Sequence, residues 1–225
     1  MAQADFPRTG PASGGTPKQL VVLCHGLGAD GFDLIDIAAA WAHAVPDAAF
    51  IAPHAPSPCD MAPHGCQWFS VADRTPEVIE PQVRVAARHL DGFIDDELSE
   101  LGLPAGAYAL MGFSQGAMMA LHVGLRRAVA PCAILAYSGA LMAPDRLGER
   151  THRPPVLLVH GEDDEVVSAL RSREAEEALR RENIPVESLF CPRLGHGIDE
   201  AGMSQGALFL QRYLATFNPA GNPAA

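Results

Sequence analysis

The sequence predicts an α/β fold, one mostly parallel central sheet with helices on both faces. Three observations predict it. Short apolar runs alternate with segments of helical periodicity, the pattern of strands joined by crossover helices. Several of those runs are continuously apolar, as strands buried on both faces must be. The chain has 225 residues, 48% of them hydrophobic, and shows no internal repeat and no linker. That is enough for one domain with a full core.

Taken in order, residues 1–17 are rich in Gly, Pro, Ser and Thr and read as a flexible leader before a single domain at 18–217. Gln19–Cys24 is the first strand, and it runs into His25-Gly26-Leu27-Gly28. A helix is expected from about Asp33, because Leu34, Ala38, Trp41 and Val45 share one face. Residues 48–52 form the next strand. A proline-broken loop follows and carries Met61, Trp68 and Phe69. The strongest helical signal spans residues 76–101, with Val83, Ala87, Leu90, Ile94 and Leu98 on one side. Strands are expected at 107–111, 132–136 and 155–159, a helix at 169–183, and a short strand at 186–190. The last helix presents Met203, Ala207, Leu210 and Leu214 together, and residues 218–225 read as a flexible tail.

Composition removes several functions. The chain carries 16 basic and 27 acidic residues, a net charge of −11, and no basic run. Nucleic acid and anionic membrane surfaces are therefore poor partners. No apolar stretch approaches the roughly 18 residues of a membrane span, and the N-terminus lacks a signal-peptide pattern. Five cysteines without regular spacing fit a reduced, cytoplasmic protein. Cys59, His64 and Cys66 lie close in sequence but lack zinc-ligand spacing, so neither metal nor other cofactor is expected.

The chemistry centres on Gly112-Phe113-Ser114-Gln115-Gly116. It is a G-x-S-x-G pattern between an apolar strand and a helix, the setting that raises a serine on a sharp turn at a sheet's end. A serine hydroxyl needs a base, and the base needs a carboxylate to fix its tautomer. On this architecture the acid and then the histidine follow the serine. Of the histidines beyond Ser114, His122 lies two turns into the nucleophile helix, and His152 sits in a polar loop. His160 precedes the candidate carboxylates, which leaves His196, between Gly195 and Gly197. The acid comes from Glu162-Asp163-Asp164-Glu165, where spacing does not choose between Asp163 and Asp164. A second match, Gly202-Met203-Ser204-Gln205-Gly206, has no strand before it and no histidine after it, and reads as coincidence.

An oxyanion needs two donors. The Gln115 N–H is one, and Leu27, between two glycines after the first strand, is the expected second. His25 reads as a structural hydrogen-bonder. Leu27, Met61, Trp68, Phe69, Leu141, Met142, Val166 and Val167 all follow strands at the carboxyl end of the sheet, where ligands bind. Together they predict an apolar acyl channel.

These pieces resemble the phospholipase/carboxylesterase family of α/β-hydrolases, which includes bacterial carboxylesterases and acyl-protein thioesterases. The resemblance rests on His-Gly-Leu-Gly at 25–28, Gly-Phe-Ser-Gln-Gly at 112–116, His-Gly-x-x-Asp at 160–164 and Gly-His at 195–196, and it runs from Gln19 to Phe217. It implies an α/β-hydrolase fold without a separate lid, and Ser114, Asp164 and His196 as the triad. It also implies Leu27 and Gln115 as oxyanion donors, and takes Asp164 over Asp163. The expected activity is hydrolysis of short to medium acyl esters, with thioesters or lysophospholipids as the alternative, a non-catalytic hydrolase-like binding protein as a lesser one, and a homodimer left open. Glu165 and Ser168 depart from the family pattern after the acid, and Gln67-Trp68-Phe69 looks like its bacterial carboxylesterase side.

Overall fold

The computed structural model describes residues 6–217. Its strands are β1 (Arg8–Thr9), β2 (Gln19–Cys24), β3 (Ala48–Ile51), β4 (Ser57–Pro58), β5 (Cys66–Gln67), β6 (Tyr108–Phe113), β7 (Ala133–Tyr137), β8 (Val156–Gly161) and β9 (Val186–Cys191). Its α-helices are α1 (Ile37–Trp41), α2 (Pro76–Glu100), α3 (Gln115–Gly124), α4 (Leu170–Arg181) and α5 (Glu200–Tyr213). Seven strands make one sheet in the order β1-β3-β2-β6-β7-β8-β9. All neighbours are parallel except β1, which pairs antiparallel with β3.

Both faces are covered, which explains the continuous apolar runs. Leu20, Val22, Tyr108 and Leu110 face a layer built from α2, α3 and α4. Val21, Leu23, Ala109 and Met111 alternate with them and face α1 and α5. Every residue of β2 is buried. A strand with water on neither side gains from an apolar residue at each position, worth about 1.5–3 kcal/mol for a large side chain.

Two expectations need correcting in detail. Residues 6–17 do not stand apart from the domain. Arg8 and Thr9 pair with Ile51 and Phe50, and Arg8 reaches Glu97 of α2 at 3.3 Å. Phe6 packs edge-on against Phe93, their centroids 5.0 Å apart. Residues 1–5 and the tail at 218–225 lie outside the described residues. The helix expected from Asp33 is shorter than its periodicity suggested: a 3-10 turn at Gly31–Asp33, then only Ile37–Trp41. Leu34, Ala38, Trp41 and Val45 are nevertheless all buried, so the apolar face is real. Its backbone ends early because Val45 leads into Pro46, which disfavours helix in the residue before it.

Gly202 and Gly206 of the second G-x-S-x-G match lie on α5, whose N-cap is Asp199, accepting from the Gly202 N–H at 2.8 Å. A Cβ at Gly206 would overlap the Trp41 indole and the Tyr137 hydroxyl. These glycines are packing residues, and Ser204 is exposed. No separate lid domain is present among the described residues, and none of their helices is long and apolar enough to cross a membrane.

Candidate active site

Ser114 joins β6 to α3 with φ +54° and ψ −117°, a conformation that costs a non-glycine residue roughly 1–3 kcal/mol. Two features hold the turn. The Ser114 N–H donates to the Tyr137 carbonyl at 2.8 Å, tying it to β7. Gly116 lets α3 sit on β2 so closely that a Cβ there would overlap the Cys24 carbonyl. The serine is 8% exposed, at the mouth of the sheet rather than inside it.

The oxyanion candidates meet here. Gly26 lies against Ser114, its Cβ position 3.4 Å from Ser114 Cβ. Gln115 is the first residue of α3, so its N–H has no partner within the helix. Neither the Leu27 nor the Gln115 N–H donates to a protein acceptor among the described residues. The Gln115 side chain does something the sequence did not announce. Its Oε1 accepts from the Trp68 N–H at 2.8 Å, and its Nε2 donates to the Phe69 carbonyl at 2.7 Å. The residue after the serine thus clamps the proline-rich loop onto the site.

On the other side, β8 ends at Gly161, and Asp164 follows. The Asp164 Oδ1 accepts from the Val166 and Val167 N–H groups at 2.9 and 2.8 Å. Its Oδ2 lies 2.7 Å from His196 Nδ1. A Cβ on Gly161 would overlap the Leu194 and Gly195 carbonyls, so glycine allows the histidine loop to settle on the end of β8. Burial by itself would raise the Asp164 carboxyl. The hydrogen bonds from His196, Val167 and Val166 outweigh it and hold the group below the usual carboxylate range. A carboxylate only accepts, so His196 Nδ1 carries the proton and Nε2 is left as a base. The ring rests beside Phe113, centroids 4.9 Å apart, next to the serine. Asp163, by contrast, is exposed.

One member of this cluster was missed. His160, fully buried, has Nε2 2.7 Å from the Val167 carbonyl and 3.2 Å from Asp164 Oδ2. Its Nδ1 lies 2.6 Å from Ser172 Oγ. Two acceptors at Nε2 place the ring proton there, so Nδ1 accepts from the serine hydroxyl. His160 precedes Asp164 in the chain, so partner order excludes it as the base. Its i, i+4 spacing to Asp164 was the available signal. His25 is structural, as expected: Nε2 accepts from the Ala55 N–H at 2.9 Å, so Nδ1 donates to the Gly26 carbonyl at 2.7 Å.

The expected acyl channel is only partly gathered. Trp68, Phe69 and Leu141 are core residues at 2%, 3% and 9% exposure, whereas Met61 and Val166 stand out at 66% and 69%. Leu27, Met142 and Val167 are half-buried. Trp68 is a strut rather than an open wall: its Nε1 donates to the His25 carbonyl at 2.9 Å, and it packs in the core with Ala55 and Phe69. Trp68→Ala is accordingly expected to cost about 3–5 kcal/mol of stability, read as a lower urea midpoint.

Burial also depresses His25, His122 and His160, with His122 pushed down from 6.5 to about 4. A depressed histidine is neutral in the fold but protonates in the unfolded chain, so its contribution is complete above pH 6.5 and shrinks as pH falls toward 4. For His122 the loss is about 3 kcal/mol across that window. Urea midpoints should therefore drop steeply between about pH 6.5 and 4, and less steeply in His122→Leu. Equal slopes would overturn this assignment.

Residues 12–214 match the phospholipase/carboxylesterase family. The chain belongs to that family. Within it, the chain is 32% identical to the esterase YpfH of Escherichia coli over 200 residues, covering 87% of this chain and 83% of that one. It is 26% identical to an acyl-protein thioesterase 1 of Neurospora crassa over 194 residues, 78% and 79% of the two chains. The crystal structure of esterase PE8 superposes with a TM-score of 0.87 at 38% identity, over 93% of this chain and 98% of that one. This member of the phospholipase/carboxylesterase family is an α/β-hydrolase that cleaves carboxylic esters or thioesters of small-molecule substrates.

Proposed function

We propose that the chain is a serine esterase for short to medium acyl esters, working through an acyl-enzyme with Ser114, His196 and Asp164 as its triad. Ser114 Oγ attacks the acyl carbonyl carbon as its proton passes to His196 Nε2. The Leu27 and Gln115 N–H groups receive the oxyanion, and Asp164 steadies the imidazolium. His196 then protonates the departing alkoxide. Water repeats the sequence on the acyl-enzyme, losing its proton to His196 and releasing the acid with Ser114 restored. No metal or cofactor enters any step. Free of a nucleic-acid partner, the enzyme acts on dissolved substrate in the cytoplasm.

The observation that supports this most is the Asp164–His196 pair at 2.7 Å, its ring against Phe113, the residue before a strained Ser114, with the Leu27 and Gln115 N–H groups unpartnered among the described residues. Relatives named acyl-protein thioesterase favour a second reading, a preference for acyl thioesters. Rates on matched oxygen esters and thioesters from acetyl to decanoyl separate the two. We expect oxygen esters to be faster, with kcat/KM rising by at most about fourfold per methylene, the equivalent of about 0.8 kcal/mol, until the channel ends. Thioesters faster by tenfold or more at every length would install the second reading.

A further inference from the structure

Away from Ser114, the outer face between α2 and the end of α3 holds a groove of about 200 Å³. Its walls carry Arg84, Arg88 and one carboxylate, Asp91, from α2, and His122, Arg126 and Arg127 from α3 and the turn after it. A chain of net charge −11 with 16 cations places four of them around this one opening.

Carboxylates hold the outer ends of Arg84 and Arg127, and carbonyls hold those of Arg126. Arg84 Nη2 bonds Glu80 and Glu149 at 3.0 Å. Arg127 uses Nη1 on the Asp91 carboxylate and carbonyl, and Nη2 on Asp95. Arg126 sends Nη1 to the His122 carbonyl and Nη2 to the Arg146 carbonyl, at 3.3 and 3.2 Å. What they leave over is specific. Among the described residues, three buried side-chain polar atoms lack a hydrogen-bond partner: His122 Nδ1, Arg126 Nε and Arg127 Nε. All three belong to residues that line this groove. Arg126 Nε lies 3.5 Å from Glu149 Oε2 without hydrogen-bond geometry.

His122 and Arg127 are 4% and 5% exposed, so water at the surface does not reach them freely. An unpaired buried donor costs about 1–3 kcal/mol, more when charged. Such atoms call for an ion or an ordered water. The groove that their residues line is many times larger than the roughly 10–15 Å³ a water needs and has room for a larger occupant. Arg88 completes the picture: it is exposed and has no carboxylate within ion-pair distance among the described residues. Burial first, then Arg126 and Arg84, push His122 down to about 4 against the opposing pull of Glu149.

We propose that this groove binds a small phosphate-type oxyanion, held by Arg88, the Nε edges of Arg126 and Arg127, and His122 Nδ1. Guanidinium N–H groups together with an imidazole suit a tetrahedral anion, whose oxygens accept in several directions. The site is distinct from the ester-cleaving centre, because His122 sits two turns along α3 from Ser114.

Inorganic phosphate is titrated against the full-length protein at constant ionic strength with chloride as control, following Tm and heat of binding. Phosphate at tenfold its Kd should raise Tm by about 3–5 °C. Arg88→Gln and His122→Leu should each abolish most of that rise, and both should keep the wild-type rate on a short ester. No rise in the wild type, or an undiminished rise in either variant, overturns the proposal. If His122→Leu fails to fold, Arg88→Gln decides alone. Glycerol 3-phosphate forms a second arm: equal binding means the groove accepts the end of a phosphomonoester, and binding of phosphate alone means the free ion.

Discussion

Ser114→Ala will lower turnover on any acyl ester by about 10⁴ to 10⁶ while the fold persists. The reason lies in what the position supplies. β6 and α3 present Oγ at the mouth of the sheet, and no neighbouring hydroxyl takes its place there. Ser138, which follows β7, is fully buried and directs its Oγ toward the Gly197 carbonyl at 3.5 Å. Alanine accepts the same backbone at the same strain, since both residues carry a Cβ, so circular dichroism and Tm should hardly change. Residual activity would come from water bound near the Leu27 and Gln115 N–H groups. Ser204→Ala is the matched control, an exposed serine on α5 within the second G-x-S-x-G pattern. A fluorophosphonate should label wild type and Ser204→Ala, and leave Ser114→Ala unlabelled. If Ser114→Ala keeps more than a few per cent of the rate while Ser204→Ala loses it, the nucleophile has been misplaced.

Much of this was legible before any coordinates. The buried strands declared themselves because a strand between two helical layers must be apolar throughout, and β2, β6, β7 and β8 fall within two residues of the expected spans. Chain order on a parallel sheet singled out Ser114 and His196 as candidates and left Asp163 and Asp164 open, the choice of Asp164 coming from the family resemblance. What escaped depends on contacts between loops, which carry no period. Two residues at Arg8–Thr9 become a strand only because β3 offers an edge and Glu97 receives Arg8. Ser57–Pro58 pairs with Cys66–Gln67 within a loop whose prolines hid it. Trp68 reads as a channel residue by position, and its burial follows from the Gln115 clamp, invisible in a string of letters. His160 was dismissed by an ordering rule that selects the base and is silent about residues supporting the acid.

Asp164→Asn is expected to cost about 10⁴ in kcat, against little for Asp163→Asn. The carboxylate at 164 is oriented from both ends. Oδ1 accepts two backbone N–H groups, from Val166 and Val167, and Oδ2 faces His196 and His160. An asparagine keeps its carbonyl oxygen where the two N–H groups are, because an NH₂ facing them would leave three donors without an acceptor. Its amide nitrogen therefore points at His196 Nδ1. That nitrogen must then accept, and the imidazole proton moves to Nε2, the atom that has to take the Ser114 proton. The base is lost without any change in shape. The amide also meets the Nε2–H of His160, donor against donor, so some stability should go with the activity. Asp163 is exposed and its side chain has no hydrogen bond to the site, so its amide should stay within about 0.5 kcal/mol of wild type. Steady-state kcat at neutral pH, with Tm measured in parallel, separates the two effects. Equal and small losses in both variants would mean that His196 is oriented by some group other than Asp164.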